Sequence, residues 1–380
     1  MIRVLLVDDS SSVRAVLRRF FARTGDIVVT GEACDGVQAV QAVLEQQPQV
    51  VVMDLQMPVM DGYMAIERIM ELRPTPIIVL SSRANRNQMR TAFEAIRRGA
   101  LEVLPKPEDT ESWELLAASL PQMVRTVAGA RPRPPGPQTP LSGTAGARAS
   151  VPCGRSGASG GMEPAGSGTS APATERTGPP EELAAGLAEL RWVAIGASTG
   201  GPAALRELLS ALPAAAPVSF LVVQHIAAGF EVGFAEWLNK ELPFDVRLAR
   251  DGEAPRRGAV RIAPAGSHLR LEPRGTLSLD PATPPRQGHR PSADELLLSC
   301  AASCPRAVAG VLLTGMGADG VEGLAALRDS GGVTLVQDEA SCVVFGMPRV
   351  ALERGAAQLA LPPSDLARTL ARLWRHEEPA

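Results

Sequence analysis

Cysteine is scarce in this chain, and what there is lies scattered. The five residues Cys34, Cys153, Cys300, Cys304 and Cys342 form no C-x-x-C pair and have no histidines at zinc spacing, which excludes a disulfide framework and a zinc knuckle and leaves ordinary reduced thiols. No apolar run approaches the ~18 residues of a membrane span. The N-terminus has one short apolar strand followed by two aspartates, unlike a signal peptide. A cytoplasmic protein without direct membrane insertion is expected. The net charge of −3 supplies no attraction for nucleic acid or for a membrane surface. Histidine is scarcer still: His225, His268, His289 and His376 are the only four, so chemistry that needs an imidazole has few candidates. At 380 residues the chain is long for one domain, and two are expected.

The stretch Trp192 to Pro202, WVAIGASTGGP, organises the rest. Trp192 to Ile195 reads as a buried strand, and Ala203, Leu205, Leu208, Leu209 and Leu212 have helical spacing. Ser198 therefore sits at a strand-to-helix turn, with Gly196, Gly200 and Gly201 supplying a permissive backbone. Such a turn has two common uses. Gly196 to Gly200 fits G-x-S-x-G, a nucleophile elbow; the alternative is a phosphate cradle of a dinucleotide-binding fold. The second use requires an acidic residue closing the next strand. That strand, Val218 to Gln224, is followed by His225, the residue type a serine nucleophile needs as its base. The elbow is favoured.

From residue 2 to residue 126, short aliphatic strands alternate with amphipathic helices. Strands are predicted at Ile2 to Val7, Ile27 to Ala33, Val50 to Met53, Pro76 to Leu80 and Leu101 to Leu104. Five βα repeats imply a flavodoxin-like, doubly wound parallel sheet, which binds ligands beyond the carboxyl ends of its strands. Those ends carry Asp8 and Asp9, Asp54, Ser81 and Lys106. Clustered carboxylates repel one another and invite a divalent cation, and oxygen-only ligands favour Mg2+. Asp54 can then act as a nucleophile on a phosphoryl group, with Ser81 and Lys106 at its oxygens.

The segments VDDS, VVMDLQMPVMDG, VLSS and LPKP resemble the signature of two-component receiver domains over about the first 120 residues. The resemblance implies that Asp54 accepts phosphate from a chemotaxis histidine kinase. It also implies that Asp8, Asp9, Asp54 and the backbone of Gln56 hold Mg2+, that Ser81 and Lys106 sense the phosphate, and that the bond before Pro107 is cis. Val103 stands where receivers usually carry an aromatic residue.

Residues 128 to 180 contain no aromatic residue, and Gly and Pro make up 21 of the 53 positions, so a flexible linker is expected over 127–182. Its root-mean-square span would be roughly 40 Å at ~5–6 Å × √n. Length lowers the effective concentration of any tethered docking, and weaker basal inhibition than with a short linker is expected from it.

Residues 183–375 resume an α/β pattern, read as a Rossmann-like, mainly parallel sheet. A strand over Ala309 to Thr314 runs into GMGADG, placing Asp319 beyond its carboxyl end, on the same edge as Ser198 and His225. A serine hydroxyl needs a base within reach and a carboxylate to orient that base. His268 and His289 are read as loop residues that line the cleft or bind substrate, and His376 as part of a charged tail.

IGASTGG, VVQHI, IAP, HRPS, LTGMGADG and QDEASCVVFGMP resemble the catalytic domain of CheB-type chemotaxis methylesterases across nearly all of residues 190–362. That resemblance implies hydrolysis of glutamate γ-methyl esters on methyl-accepting chemoreceptors, with deamidation of receptor glutamines in some cases. Ser198 would be the nucleophile, His225 the base and Asp319 its orienter, with backbone N–H groups near Thr199 and Met316 as the oxyanion site and no cofactor for the esterase. In the family the unphosphorylated receiver packs over the cleft. Ile226-Ala227-Ala228 replaces a proline-rich segment. The competing classes are a partner-binding response regulator without catalysis, against which the Ser, His and Asp argue, and a nucleotide-dependent oxidoreductase.

Overall fold

The computed structural model describes residues 1–81, 91–130, 132 and 189–374. Most of the expected linker and His376 lie outside the described residues. Residues 1–135 and 179–380 belong to one compact unit.

The N-terminal part is a parallel sheet in the order β2-β1-β3-β4-β5, with β1 Ile2–Val7, β2 Ile27–Ala33, β3 Val50–Asp54, β4 Ile77–Ser81 and β5 Glu102–Pro105. This is the doubly wound order whose crevice opens between β1 and β3. The strands lie within a residue of their predicted positions, because parallel strands covered on both faces read as uninterrupted apolar runs. Helices α1 Ser11–Ala22, α2 Gly36–Gln46, α3 Gly62–Leu72, α4 Glu94–Arg97 and α5 Thr110–Val127 surround the sheet. Side chains of Ser10, Asp35, Asp61 and Asp109 cap four of them by accepting first-turn N–H groups. The helix α5 carries the fold one residue past the expected boundary at 126.

The second part is a seven-stranded parallel sheet, order β14-β13-β12-β6-β7-β9-β8. Its strands are β6 Trp192–Ala197, β7 Ser219–Gln224, β8 Asp245–Leu248, β9 Ala259–Ile262, β12 Val308–Leu312, β13 Val333–Gln337 and β14 Leu359–Leu361. An antiparallel hairpin, β10 His268–Leu271 with β11 Leu277–Asp280, stands apart from the sheet. From β6 the chain builds outward through β7 and returns to add β12 on the other side, so the crevice lies between the carboxyl ends of β6 and β12. Helices α6 Gly201–Ser210, α7 Glu231–Glu241, α8 Ala293–Ser303, α9 Val321–Asp329, α10 Met347–Glu353 and α11 Pro363–Leu373 complete it. Among the described residues, no helix is long and apolar enough to cross a membrane.

The two parts share packing. Phe93, just before α4 and 1% exposed, lies 6.3 Å from Phe230, 5.4 Å from Phe234 and 5.9 Å from Trp237, ring centre to ring centre. A buried aromatic cluster of this kind gains both from area removed from water and from edge and stacked contacts. Lys240 and Glu94 pair across the same seam at 3.7 Å.

Two expectations are corrected. The Lys106–Pro107 bond is trans, the cis peptide among the described residues being Arg290–Pro291; an X-Pro bond keeps the trans form unless its surroundings over-determine the other. His268 does not line a cleft. It opens β10, is fully buried, and turns Nε2 to the carbonyl of Pro284 at 3.1 Å.

Candidate functional site

At the first crevice, Asp8 and Asp9 leave β1 while Asp54 closes β3. A carboxylate oxygen of each lies within 4.8 Å of the others. Asp8 and Asp54 are buried and Asp9 is exposed. Lys106, following β5, places Nζ 2.8 Å from Asp8 Oδ2 and 2.7 Å from Asp54 Oδ2. Burial raises the Asp8 carboxyl above its usual range against the pull of Lys106. Burial alone would lower the Lys106 ammonium, but Asp54 and Asp8 outweigh it and hold it above its ordinary value. Asp54 Oδ1 accepts the backbone N–H groups of Leu55 at 2.7 Å and Gln56 at 3.4 Å. Ser81, buried at the end of β4, gives its carbonyl to the N–H of Lys106 at 2.8 Å. The donor set is three carboxylates, all oxygen, opposed by one ammonium. It suits Mg2+, a hard cation commonly held by one or two carboxylates plus waters.

At the second crevice, Ser198 leaves β6 and α6 begins at Gly201. The serine backbone is pinned on both sides. Its N–H donates to Thr314 O at 3.1 Å, and its carbonyl accepts from Gly201 N at 2.8 Å and from Gln224 Nε2 at 2.9 Å. Gly200 turns the chain at φ 76°, in the left-handed region that favours glycine. Gly315 must be glycine for a different reason. A Cβ there would meet Ser198 Cβ at 2.7 Å and Met347 Sδ at 2.5 Å, so its absence lets the β12 loop close onto the serine.

His225 follows β7, its N–H bonded to Ala197 O at 2.9 Å. Its Nε2 lies 2.8 Å from Asp319 Oδ2, and its Nδ1 is buried and makes no hydrogen bond among the described residues. Asp319, 1% exposed, also accepts Ser292 Oγ at 2.6 Å, Ala293 N at 2.7 Å and Asp294 N at 3.1 Å. These come from the N-cap and first turn of α8, the end of a helix that favours negative charge. Burial by itself would raise the Asp319 carboxyl, but His225, Ser292 and the Ala293 N–H outweigh it and hold it at about 2. A carboxylate so fixed can orient an imidazole and support its charged form.

Thr199 is buried. Met316 exposes 41% of its surface. Among the described residues, neither backbone N–H has a hydrogen-bond partner within the protein. The Met316 side chain runs to the first part of the molecule, with Sδ 3.2 Å from Thr126 Oγ1 and 4.0 Å from Gln122 Nε2 on α5. A cavity of 350 Å³ lies between Leu104, Pro105, Lys106, Pro107, Ser112 and Leu115 on one side and Ala227 and Ala228 on the other.

The structure thus brings His225 against Asp319 and Ser198 against the Thr314–Met316 loop, as the strand ends suggested. Sequence reading missed Ser292, although S-x-x-E before an apolar run, here Ser292 to Glu295, is a capping signal. It read His289 as a loop residue that lines the cleft or binds substrate, and did not foresee its contact with His225. The His289 ring lies 3.8 Å from that of His225, at 3° to its plane.

Comparison with known proteins agrees with this division. The family model described as CheB methylesterase matches residues 193–370, and the response regulator receiver domain model matches residues 4–118. A protein-glutamate methylesterase/protein-glutamine glutaminase of Geobacter metallireducens is 38% identical over 377 residues, covering 98% of this chain and 99% of the relative. One from Anaeromyxobacter dehalogenans is 40% identical over 374 residues, covering 98% and 97%. Among solved structures, the CheB methylesterase catalytic domain of Thermotoga maritima is 35% identical, covers 49% of this chain and 100% of its own, and gives a TM-score of 0.47. The response regulator domain of Thermotoga maritima CheB is 35% identical, covers 35% and 99%, and gives a TM-score of 0.32.

Proposed function

Because this chain belongs to the CheB methylesterase family and carries a response regulator receiver domain, we propose that it is a phosphorylation-controlled protein-glutamate methylesterase. Its substrates are the glutamate γ-methyl esters of chemoreceptors, and its phosphodonor is a histidine kinase. We assign residues 1–126 to regulation, 127–182 to a tether and 183–375 to catalysis. The observation that carries the reading is the 2.8 Å bond from His225 Nε2 to Asp319, which leaves the buried Nδ1 as the basic nitrogen.

In the proposed reaction Ser198 Oγ bonds to the ester carbonyl carbon while its proton passes to His225 Nδ1. The developing oxyanion is received by the unpaired N–H groups of Thr199 and Met316. Collapse breaks the carbon–methoxy bond, and the leaving oxygen takes the proton from His225 and departs as methanol. Water, deprotonated by the same nitrogen, then attacks the acyl carbon; Ser198 Oγ leaves with that proton, and the glutamic acid product ionises to a carboxylate. With a glutamine side chain the same steps would release ammonia.

In the receiver, Asp8, Asp9, Asp54 and the carbonyl of Gln56 would hold Mg2+, which supplies charge neutralisation for an incoming phosphoryl group. Asp54 would accept the phosphoryl group, with Lys106 and Ser81 at its oxygens. The contacts of α5 with Met316 and of Phe93 with α7 support a receiver that restrains the catalytic loops until Asp54 is modified.

The test is methanol release from methylated receptor cytoplasmic fragments, with and without a small phosphodonor and Mg2+, beside Ser198→Ala and Asp54→Asn. Release that needs Ser198, and that rises with the donor only when Asp54 is present, is expected. No release under any condition, with Asp54 still phosphorylated, would move the protein to the partner-binding class.

A further inference from the structure

The mechanism leaves unused a half-buried imidazole that lies against His225, that of His289. It sits at the foot of a two-residue turn in which Arg286 and His289 exchange backbone hydrogen bonds of 3.0 and 2.9 Å. Gln287 and Gly288 take φ 49° and 83° to close it, the left-handed pair of a tight hairpin turn. Arg286 anchors the turn to Glu295 at 3.0 Å and to Glu322. The backbone that carries the ring is therefore fixed where the ring meets His225.

A parallel, face-to-face stack with a centroid spacing of 3.8 Å is an unusual way to pack two neutral rings. Their quadrupoles prefer an offset or an edge-on meeting at ~4.5–7 Å. The same geometry becomes attractive when one ring is a cation over the face of the other. Two cations would repel. The stack therefore gains when one ring becomes a cation, and His225, which takes the serine proton in the proposed reaction with Asp319 on its Nε2, is that ring. Burial, together with the neighbouring His225, lowers the basicity of His289 against the opposing pull of Asp319.

Resting on the methylesterase reading above, we propose that His289 is a positioning residue for His225. Its neutral ring fixes the plane of the catalytic imidazole, keeping Nε2 on Asp319 and Nδ1 free, and stabilises that imidazole once it carries the serine proton. His225 otherwise has one side-chain hydrogen bond, an axis about which the ring can swing. Because the stack gains most when His225 is charged, its contribution belongs to the transition state and should appear in kcat rather than in KM.

The experiment compares the full chain with His289→Ala and His289→Phe under phosphodonor and Mg2+, with Asp54 phosphorylation as a check of folding. Methanol release is followed for kcat and KM, and the labelling rate of Ser198 by a fluorophosphonate is measured in parallel. His289→Ala should lower kcat and the labelling rate by about tenfold with KM within about twofold, the size of one stacked contact. His289→Phe, which keeps a neutral ring in place, should restore both to within about threefold. Equal loss in the two variants would overturn the proposal in favour of proton transfer or hydrogen bonding by the imidazole. A raised KM at unchanged kcat would overturn it in favour of substrate binding, and unchanged kinetics in His289→Ala would overturn it outright. If the wild-type chain releases no methanol yet Ser198 reacts with the fluorophosphonate, the substrate assignment fails, and the labelling rates still decide the role of His289.

Discussion

The carboxyl of Glu102, in the last strand of the receiver sheet, lies against the backbone N–H of Gly200, two residues beyond Ser198. Burial dominates its environment and lifts it to about 8, against the lowering pull of the Val103 and Gly200 N–H groups. If the receiver swings away, this carboxyl returns to water and to its ordinary value of 4.5. Docking then takes up a proton. The sign follows: docking is fully favoured below pH 4.5, weakens as pH rises, and has lost this contribution once pH passes about 8. We predict that basal methanol release by the unphosphorylated chain climbs between pH 6 and 8 more steeply than that of the catalytic part alone, and that Glu102→Gln removes the difference. Identical pH profiles for full chain and catalytic part would refute it.

Phe93 is the apolar anchor of the seam, buried among Phe230, Phe234 and Trp237. Truncating a buried phenylalanine typically costs ~3–5 kcal/mol. We predict that Phe93→Ala raises basal activity several-fold and reduces the further gain from phosphodonor. Since Asp54 and Lys106 lie on other elements, phosphorylation of Asp54 should persist. A variant with unchanged basal rate would show that the aromatic cluster does not restrain the enzyme.

Asp319 and Ser292 separate two kinds of damage. Asp319→Asn keeps the shape but loses the charge that His225 needs and turns an amide NH2 group onto buried donors, so activity should fall roughly 10³–10⁴-fold and stability by about 1–3 kcal/mol. Ser292→Ala removes the 2.6 Å bond to Asp319 together with the cap of α8. It should cost about 1 kcal/mol of stability and a smaller part of kcat. Thermal unfolding measured beside methanol release distinguishes them; equal kinetic damage in both would deny Asp319 its separate electrostatic role.

The long segment between the two folded parts bears on inhibition. If residues 127–182 act as the tether proposed above, their length dilutes the receiver around its docking site. We predict that cutting the chain to residues 183–380 raises unphosphorylated activity by no more than roughly tenfold. A gain of a hundredfold or more would place the strength of inhibition in the seam itself, with the tether immaterial.

Much of this was legible along the chain because function sits at strand ends. Asp8, Asp54, Lys106, Ser198 and His225 each follow or close an apolar run, and an α/β sheet sends such positions to one edge. Asp319 was found the same way, one loop beyond β12. What escaped was held by contacts between distant segments. The stack of His225 on His289 joins residues from two separate loops, and a stack leaves no periodicity to read. Phe93 against α7 was hidden for the same reason, since its neighbours come from the other domain. His268 was misplaced because a short hairpin strand between turns looks like loop.

The space beside Lys106 carries a final consequence. The 350 Å³ cavity lies between β5–α5 and the Ala227–Ala228 corner, three residues past His225, where two of the smallest side chains face the receiver. A gap has no atoms to attract its walls, so this part of the seam forfeits the dispersion that Phe93 supplies elsewhere. If the receiver restrains the enzyme as proposed, a larger side chain at position 227 or 228 would fill this gap and tighten the resting state without touching the phosphoacceptor or the serine.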